Sequence, residues 1–389
     1  MAMQQSWRPF LMVSLALCIG TIGTALVSPL YPIYQELWHL LPSQITYIFV
    51  AYIFGCLVTL LFLGRTSNSL GFLRTLQIGI VCVILGLALS SVATNVLSLS
   101  LGRFIIGIAS GLISTSAMLG LITTIPESHK KNAPQLSSII TVIGFGLGPF
   151  IGGIIAQFSS HPLVTPYLTI ITTAILCFYG LFRIKTAQFQ AQPFSIAPHL
   201  ELPETQYKSI FFIAGLTAFC AFGAFGLFAS LSPSFVKDLI PWHGPFISGV
   251  AISSILFISA IVQFFAQSMP AVKCLSYGLS MLIISLVFLT LCVSMQWSFL
   301  FFLSDIFVGI GHGFGLMGAF GLIHQMTTTD NRAAVMSTYL FIGYLGTILP
   351  IIAVGYLADH FGLHIAILSF CIAIGLLCIG LLIQHKKSS

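Results

Sequence analysis

Long apolar runs fill most of the chain, and short breaks containing polar residues, proline or glycine separate them. A helix that crosses the hydrocarbon core of a bilayer needs about 20 consecutive apolar residues. By this measure the pattern predicts twelve transmembrane spans, near residues 8–30, 43–64, 73–93, 96–124, 136–158, 163–183, 208–233, 244–267, 272–294, 297–325, 333–358 and 363–383. The break around Ala93–Leu97 is so short that the third and fourth spans are the hardest pair to separate.

The composition supports a chain that lies mostly in lipid. Hydrophobic residues make up 57% of it and charged residues only 6%, with a mean hydropathy of +1.06. A soluble domain carries about 25% charged residues, because its surface must face water. The apolar run from Arg8 to about Val27 is longer than the core of a signal peptide, so we expect an uncleaved first span.

The same composition argues against several cofactors and partners. The nine cysteines are scattered singly and form no CxxC pair, so neither a metal site nor a disulfide framework is predicted. No basic block interleaved with aromatic residues appears, so we expect no nucleic-acid partner. No nucleotide-binding P-loop appears either, and the eight acidic residues do not cluster as catalytic groups do. We therefore expect no cofactor and no enzyme activity, and the longest loop is too short for the output domain of a sensor.

The positions of lysine and arginine predict the topology. With the N-terminus in the cytoplasm, Lys237 alone falls outside and Arg103 lies within a span. The inside set is Arg8, Arg65, Arg74, Lys130, Lys131, Arg183, Lys185, Lys208, Lys273, Arg332, Lys386 and Lys387. This excess is what the positive-inside rule requires. We expect a multi-pass protein of the inner (cytoplasmic) membrane with both termini in the cytoplasm.

A central linker and an internal repeat divide the chain into two halves. The longest loop carries three prolines and little apolar periodicity, which is typical of a linker. It separates a six-helix bundle at 1–183 from a second at 208–389, with the linker at 184–207. An offset of 202 residues places Gly107 on Gly309, and the same offset matches Gly144 with Gly346 and Gly153 with Gly355. The matched segments run in the same direction through the membrane, which indicates a parallel repeat.

Span five carries a dense motif made of Gly144, Gly148, Pro149, Gly152 and Gly153. Glycines at this density let another backbone approach closely in lipid, and a proline is expected to bend the helix. Plain helix packing and a bending or sealing element of a substrate pathway both fit the pattern.

This motif resembles the span-five antiporter motif of drug–proton exporters in the major facilitator superfamily, and the resemblance extends over the whole chain. The family's further glycine, nine residues upstream, falls on Gln135 here, so the match is partial. The resemblance implies an all-α membrane protein of twelve transmembrane helices, in two six-helix bundles related by a parallel pseudo-repeat, which is the major facilitator fold. In that family the motif is associated with export and with limiting leakage.

The loop after span two, with Gly64, Asn68, Gly71 and Arg74, resembles the family's cytoplasmic gating loop. The family has an acid where this chain has Asn68 and an arginine where it has Ser69. Asn68 can accept a hydrogen bond or cap a helix end but brings no charge, so the resemblance implies a weaker gating lock. An ordinary polar turn is the alternative.

Three polar residues inside spans are the candidates for transport and coupling. Arg103 in span four costs about 2.5–3.5 kcal/mol on insertion scales and resembles the family's span-four arginine, which is implicated in proton coupling. Snorkelling to the outer headgroups is the alternative for Arg103. Asp305 lies within span ten, and His312 follows seven residues later on the same helical face. His312 can carry a proton near neutral pH, or it can be a hydrogen-bonded packing residue.

The repeat places Arg103 and Asp305 at equal depth in opposite halves. Our hypothesis is that they pair when an outer gate is shut and separate when it opens, because such a pair is favourable only where water is mostly excluded. We expect a monomeric secondary transporter that exports a small amphipathic organic molecule by alternating access, with protons as the coupling ion. The alternative is an importer of a small metabolite or metal chelate.

Overall fold

The computed structural model describes residues 7–184, 192–198, 200–234, 244–328 and 331–388. Most of these described residues are helical, and none of them lies in a strand. Eleven of their helices are long and apolar enough to cross a membrane, and a twelfth apolar helix, Thr165–Leu181, is 17 residues long. The predicted all-α membrane fold is therefore confirmed. Part of the predicted linker, 185–191, and Lys237 lie outside the described residues.

The helices fall close to the predicted spans. We number the spans by their main helices: span one Arg8–Ala25, two Pro42–Val58, three Phe72–Ser91, four Val96–Thr124, five Ala133–Phe158, six Thr165–Leu181, seven Lys208–Ser230, eight Pro245–Phe265, nine Ala271–Met295, ten Ser298–Met326, eleven Arg332–Phe361 and twelve Leu363–Ser388. Shorter helical turns lie at Ser28–Leu30, Thr59–Leu63, Glu127–Asn132 and Thr205–Tyr207.

Span one differs from the prediction, which ended it near residue 30. The chain instead forms a 3-10 turn at Ser28–Leu30 and continues as a helix, Tyr31–Trp38. Pro32 sits in the first two positions of that helix, where its missing N–H removes no helical hydrogen bond. The prolines therefore start a second helical segment.

The short break between spans three and four is a true helix boundary. Asn95 precedes span four in an extended conformation, and its side chain accepts a hydrogen bond from the Ser98 N–H at 2.9 Å. The Ser98 hydroxyl oxygen accepts in return from the Asn95 N–H. This reciprocal cap satisfies two N–H groups of a helix start, so two spans are separated by a few residues.

The first compact unit comprises Met1–Val27 and Ala51–Pro198. Span four packs against spans two and three within it. At Gly107 a side chain would collide with the Tyr52 carbonyl oxygen of span two. Only a residue without a Cβ permits this backbone-to-backbone approach.

The second compact unit comprises Ser28–Val50 and His199–Ser389. Span ten packs against spans seven, eight and nine within it. A Cβ at Gly309 would lie 2.9 Å from the Ile255 carbonyl oxygen of span eight. Gly309 therefore packs span ten on span eight as Gly107 packs span four on span two, and the repeat is visible in the helix contacts.

Candidate functional site

Asp305 lies on the face of span ten that meets span eight, with 3% of its surface exposed. Its Oδ2 atom accepts a hydrogen bond from the Ser254 hydroxyl. Its other oxygen, Oδ1, has no hydrogen-bond partner among the described residues. A buried carboxylate oxygen without a hydrogen-bond donor is energetically costly, which makes Asp305 the first candidate for a functional group in span ten.

His312 lies on the same helix, and it too is held by span eight. Its Nδ1 atom is 2.9 Å from the Ser259 hydroxyl, which also accepts a hydrogen bond from Gln263 Nε2 at 3.1 Å. The imidazole lies between two rings of span seven, with centroid distances of 5.9 Å to Phe222 and 5.8 Å to Phe225. His312 is thus held by a hydrogen bond to span eight and packs against two aromatic rings of span seven.

Sequence reasoning missed the contribution of span eight. Ser254 and Ser259 each bind one of the two polar residues that the sequence predicted in span ten. The repeat contained the signal, because Ser254 follows Tyr52 by the same 202 residues that separate Asp305 from Arg103. The offset points to Ser254 only once the contact between Arg103 and Tyr52 is known, and that contact is a property of the tertiary structure.

Arg103 is fully buried in the first unit, with 0% of its surface exposed. Its Nη1 atom donates a hydrogen bond to the Thr24 carbonyl oxygen at 2.6 Å, and its guanidinium carbon lies 4.7 Å from the centroid of the Tyr52 ring. Thr24 is in the last turn of the Arg8–Ala25 helix, where carbonyl groups lack helical partners. The alternative that Arg103 snorkels to the headgroups is wrong, because a helix end and a ring hold it in the interior.

The structure thus groups Asp305 and His312 on one helix beside span eight, and it places Arg103 against spans one and two. The Nε atom of Arg103 has no hydrogen-bond partner in the part of the chain that is described. The hypothesised pairing of Arg103 with Asp305 would join the two units and stays a prediction.

The span-five motif packs on span one. Gly144 lies against the Thr21 side chain, and a Cβ at Gly148 would be 2.8 Å from the Ile22 carbonyl oxygen. At Gly152 a Cβ would be 2.5 Å from the Leu26 carbonyl oxygen, while Gly153 is buried. Pro149 lies inside the continuous helix of span five. The motif therefore brings spans five and one together along about two helical turns.

The loop after span two is built around a turn that requires glycine. Gly71 has φ 82°, a backbone conformation that residues with a Cβ rarely adopt, and Gly64 follows the π-helical turn of span two. Asn68 caps no helix end, contrary to one option from the sequence, since it lies within the short helix Thr66–Leu70. Arg74 is exposed.

The partner of this loop is the central linker. The Asn68 carbonyl oxygen accepts a hydrogen bond from the Gln192 N–H at 3.0 Å. The Ser69 hydroxyl donates to the Pro193 carbonyl oxygen at 3.3 Å. Neutral hydrogen bonds to the linker thus occur where the related family places a charged group.

The described residues contain no group of three or more histidine, cysteine, aspartate and glutamate residues that could hold a metal ion. Asp305 and His312 each bind a serine hydroxyl.

Comparison with known proteins connects this geometry to a family. The model of the Major Facilitator Superfamily matches residues 13–350. The quinolone resistance protein NorA of Staphylococcus aureus (strain MRSA252) is 27% identical over 303 residues, which cover 74% of each chain. The riboflavin transporter RibZ of Clostridioides difficile (strain 630) is 22% identical over 162 residues, and this match covers 42% of the present chain and only 36% of RibZ.

A solved structure shares the fold over nearly the whole chain. It is a bacterial homolog of the human lysosomal transporter Spinster, with a TM-score of 0.74 and 13% sequence identity. The superposition covers 97% of the present chain and 95% of that protein. At this identity the likeness concerns the fold alone.

Proposed function

The chain belongs to the Major Facilitator Superfamily, and on this premise we propose that it exports a small amphipathic organic molecule by alternating access, in exchange for protons. The two six-helix halves rock about a site near the midplane, as is general for transporters built from such repeats. The protein acts as a monomer in the inner membrane with both termini in the cytoplasm.

The observation that carries the proposal is the buried carboxylate of Asp305. It is the one acidic side chain, among the described residues, that is buried. Its Ser254 contact uses one oxygen and leaves the other without a partner. Ionisable groups inside a membrane are costly and usually mark ion or substrate pathways. Binding a proton removes the charge, and a serine hydroxyl can bond to either form of the acid, because it both donates and accepts.

Two further groups support a coupled mechanism. His312 lies two helical turns from Asp305 on the same helix, and a neutral imidazole has one ring nitrogen that can accept a proton. Arg103 is a permanent cation buried in the other unit. Pairing of Arg103 with ionised Asp305 in one state of the cycle would compensate both charges, and protonation of Asp305 would release the pair.

Two observations support the proposed substrate class: the names of the relatives and the aromatic rings beside His312. NorA is named for quinolone resistance and RibZ for riboflavin transport, and both names refer to small organic compounds. In this chain the rings of Phe222 and Phe225 accompany His312. Aromatic faces beside a few polar groups suit an amphipathic molecule.

Uptake of a small metabolite is the second candidate. The similarity to a protein named as a riboflavin transporter favours a metabolite as the substrate, and the span-five motif lacks one glycine of the exporter pattern, at Gln135. Accumulation driven by an imposed pH gradient distinguishes the two directions. Inside-out vesicles with an acidic lumen accumulate labelled substrate if the protein exchanges it for protons, whereas right-side-out vesicles with an acidic exterior accumulate it if the protein takes it up together with protons.

The coupling is tested by transport into oriented proteoliposomes with an imposed pH gradient. A panel of drugs and metabolites identifies the substrate first. Asp305→Asn is then expected to abolish gradient-driven transport while it retains exchange of labelled for unlabelled substrate. Glu204→Gln, in the exposed linker, is the matched control and keeps both activities. Normal gradient-driven transport by Asp305→Asn across pH would refute the coupling role.

A further inference from the structure

The segment Ser28–Val50 belongs by chain order to the end of span one and the start of span two, yet it clusters with the second unit. Its 3-10 turn, Ser28–Leu30, packs against spans seven and eight. Alternating access requires the two halves of a transporter to part on each side in turn. The contacts that hold this segment are therefore of functional interest.

The segment makes a polar contact with span eleven, in which a carboxylate of span eleven accepts a hydrogen bond from the first turn of span two. Asp359 Oδ1 accepts a hydrogen bond from the Ser43 N–H at 3.1 Å. Ser43 is the second residue of the helix Pro42–Val58, and the first N–H groups of a helix have no helical acceptor. A negative charge is also favourable at this end of a helix because of the helix dipole.

A close backbone contact accompanies the hydrogen bond. Gly355 lies one helical turn before Asp359, so both face the same neighbour. A Cβ at Gly355 would be 2.9 Å from the Ser43 Cα atom and would collide with the Thr46 hydroxyl. The main chains of spans two and eleven thus touch at the point where the carboxylate binds.

A second hydrogen bond joins the segment to the residues that follow span seven. The Ser234 hydroxyl donates to Gln35 Oε1 at 2.7 Å. Gln35 lies on the helix Tyr31–Trp38, which continues span one. Two separate elements of the segment therefore carry polar contacts to two different spans of the C-terminal half.

We propose that Asp359 is a gating residue, whose hydrogen bond to Ser43 holds the ends of spans one and two on the C-terminal half in one state of the transport cycle and breaks in the other. We call Asp359, Ser43, Gly355 and Thr46 the span-two latch. The proposal rests on alternating access as part of the proposed function. One charge-assisted hydrogen bond suits a latch, because it is strong enough to bias two states and weak enough to break in each cycle.

The charge is what distinguishes this latch from ordinary packing. By the repeat offset, Asp359 corresponds to Gln157 in span five, so the two halves differ in charge at this position. His360, the next residue, is exposed, and its ring bonds to its own helix at the Tyr356 carbonyl oxygen. It provides a control at the same helix end that leaves the latch untouched.

Thiol labelling tests the latch without knowledge of the substrate. Ser28, with 3% of its surface exposed, is changed to cysteine, and a membrane-impermeant maleimide is added to right-side-out and to inside-out vesicles. The same vesicles without Ser28→Cys give the background from the native cysteines. Asp359→Ala is expected to increase labelling of Ser28→Cys from one membrane face by about tenfold, the effect of losing about 1.4 kcal/mol. Asp359→Asn, which keeps an acceptor without charge, is expected to give a smaller increase.

Two further variants make the outcome decisive. Gly355→Val is expected to raise labelling as well, because its side chain separates spans two and eleven, while His360→Ala leaves the rate unchanged. If labelling is unchanged in folded Asp359→Ala and Gly355→Val proteins, the segment stays on the C-terminal half without this contact, and the proposal is overturned. Labelling and transport test two separate claims. If labelling rises but transport does not depend on the pH gradient, the latch is supported and proton coupling is refuted.

Discussion

The Ser254 hydroxyl donates a hydrogen bond to the Asp305 carboxylate within the second unit. Tyr52 and Arg103 occupy the equivalent positions of the first unit, where the guanidinium lies over the tyrosine ring at 4.7 Å. Spans two and eight therefore each present one residue to a buried charged group on span four or ten. The equivalent positions of spans four and ten therefore carry opposite charges, and each charged group is contacted by a residue of the neighbouring span of its own unit.

Ser254→Ala removes the described hydrogen-bond partner of Asp305. A hydrogen bond to a charged group contributes about 1.5–3 kcal/mol, and each 1.4 kcal/mol corresponds to about tenfold. We expect gradient-driven transport to fall by about tenfold or more, whereas Ser254→Thr, which keeps a hydroxyl, retains most of it. The check is the initial rate in proteoliposomes at matched protein density. Equal rates in Ser254→Ala and the parent protein would exclude a role for this contact.

Arg103→Met tests whether the buried cation serves function at the expense of stability. A cation inside a membrane span is costly, and an apolar side chain of similar length removes that cost. We therefore expect the unfolding temperature in detergent to stay equal or rise, while transport is lost. Arg103→Lys is expected to lose transport as well, since an ammonium lacks the planar group that stacks on Tyr52. A large loss of stability with retained transport would assign Arg103 a structural role.

Gly148→Leu tests the contact between spans five and one. Its Cβ would be 2.8 Å from a backbone oxygen of span one, which cannot rotate away. Overpacking of this kind typically costs about 1–3 kcal/mol, so a clear drop in unfolding temperature is expected. Gly380→Leu is the matched control, because a Cβ at Gly380 meets nothing within 4 Å. If both variants unfold at the same temperature, the close packing of the motif is not a source of stability.

Reporter fusions test the predicted topology. Fusions after Arg183 and at the C-terminus should both report the cytoplasmic side, because twelve of the fourteen lysines and arginines fall on that side of the predicted arrangement. A phosphatase that is active only outside and a fluorescent protein that folds only inside provide the two signals. Opposite locations for the two fusion points would contradict twelve spans in two matched halves.

The hydropathy pattern by itself predicted the helical membrane fold and most span boundaries. These properties are local, because about 20 apolar residues cross a bilayer whatever their neighbours are. The predicted division between spans three and four also agrees with the cap at Asn95 and Ser98. The continuation of span one to Trp38 was missed, since the same proline signal can end one helix or start the next.

The interactions of the charged groups depended on tertiary structure. The sequence left Arg103 free to snorkel or to lie inside, and only the packing of spans one, two and four placed its guanidinium on the Thr24 carbonyl oxygen. Likewise no local pattern joins Ser254 to Asp305 or Ser43 to Asp359, which are 51 and 316 residues apart. An apolar run specifies that a helix lies in lipid, but the partner of each polar group depends on which helix faces lie together, and that is decided by close packing between distant segments.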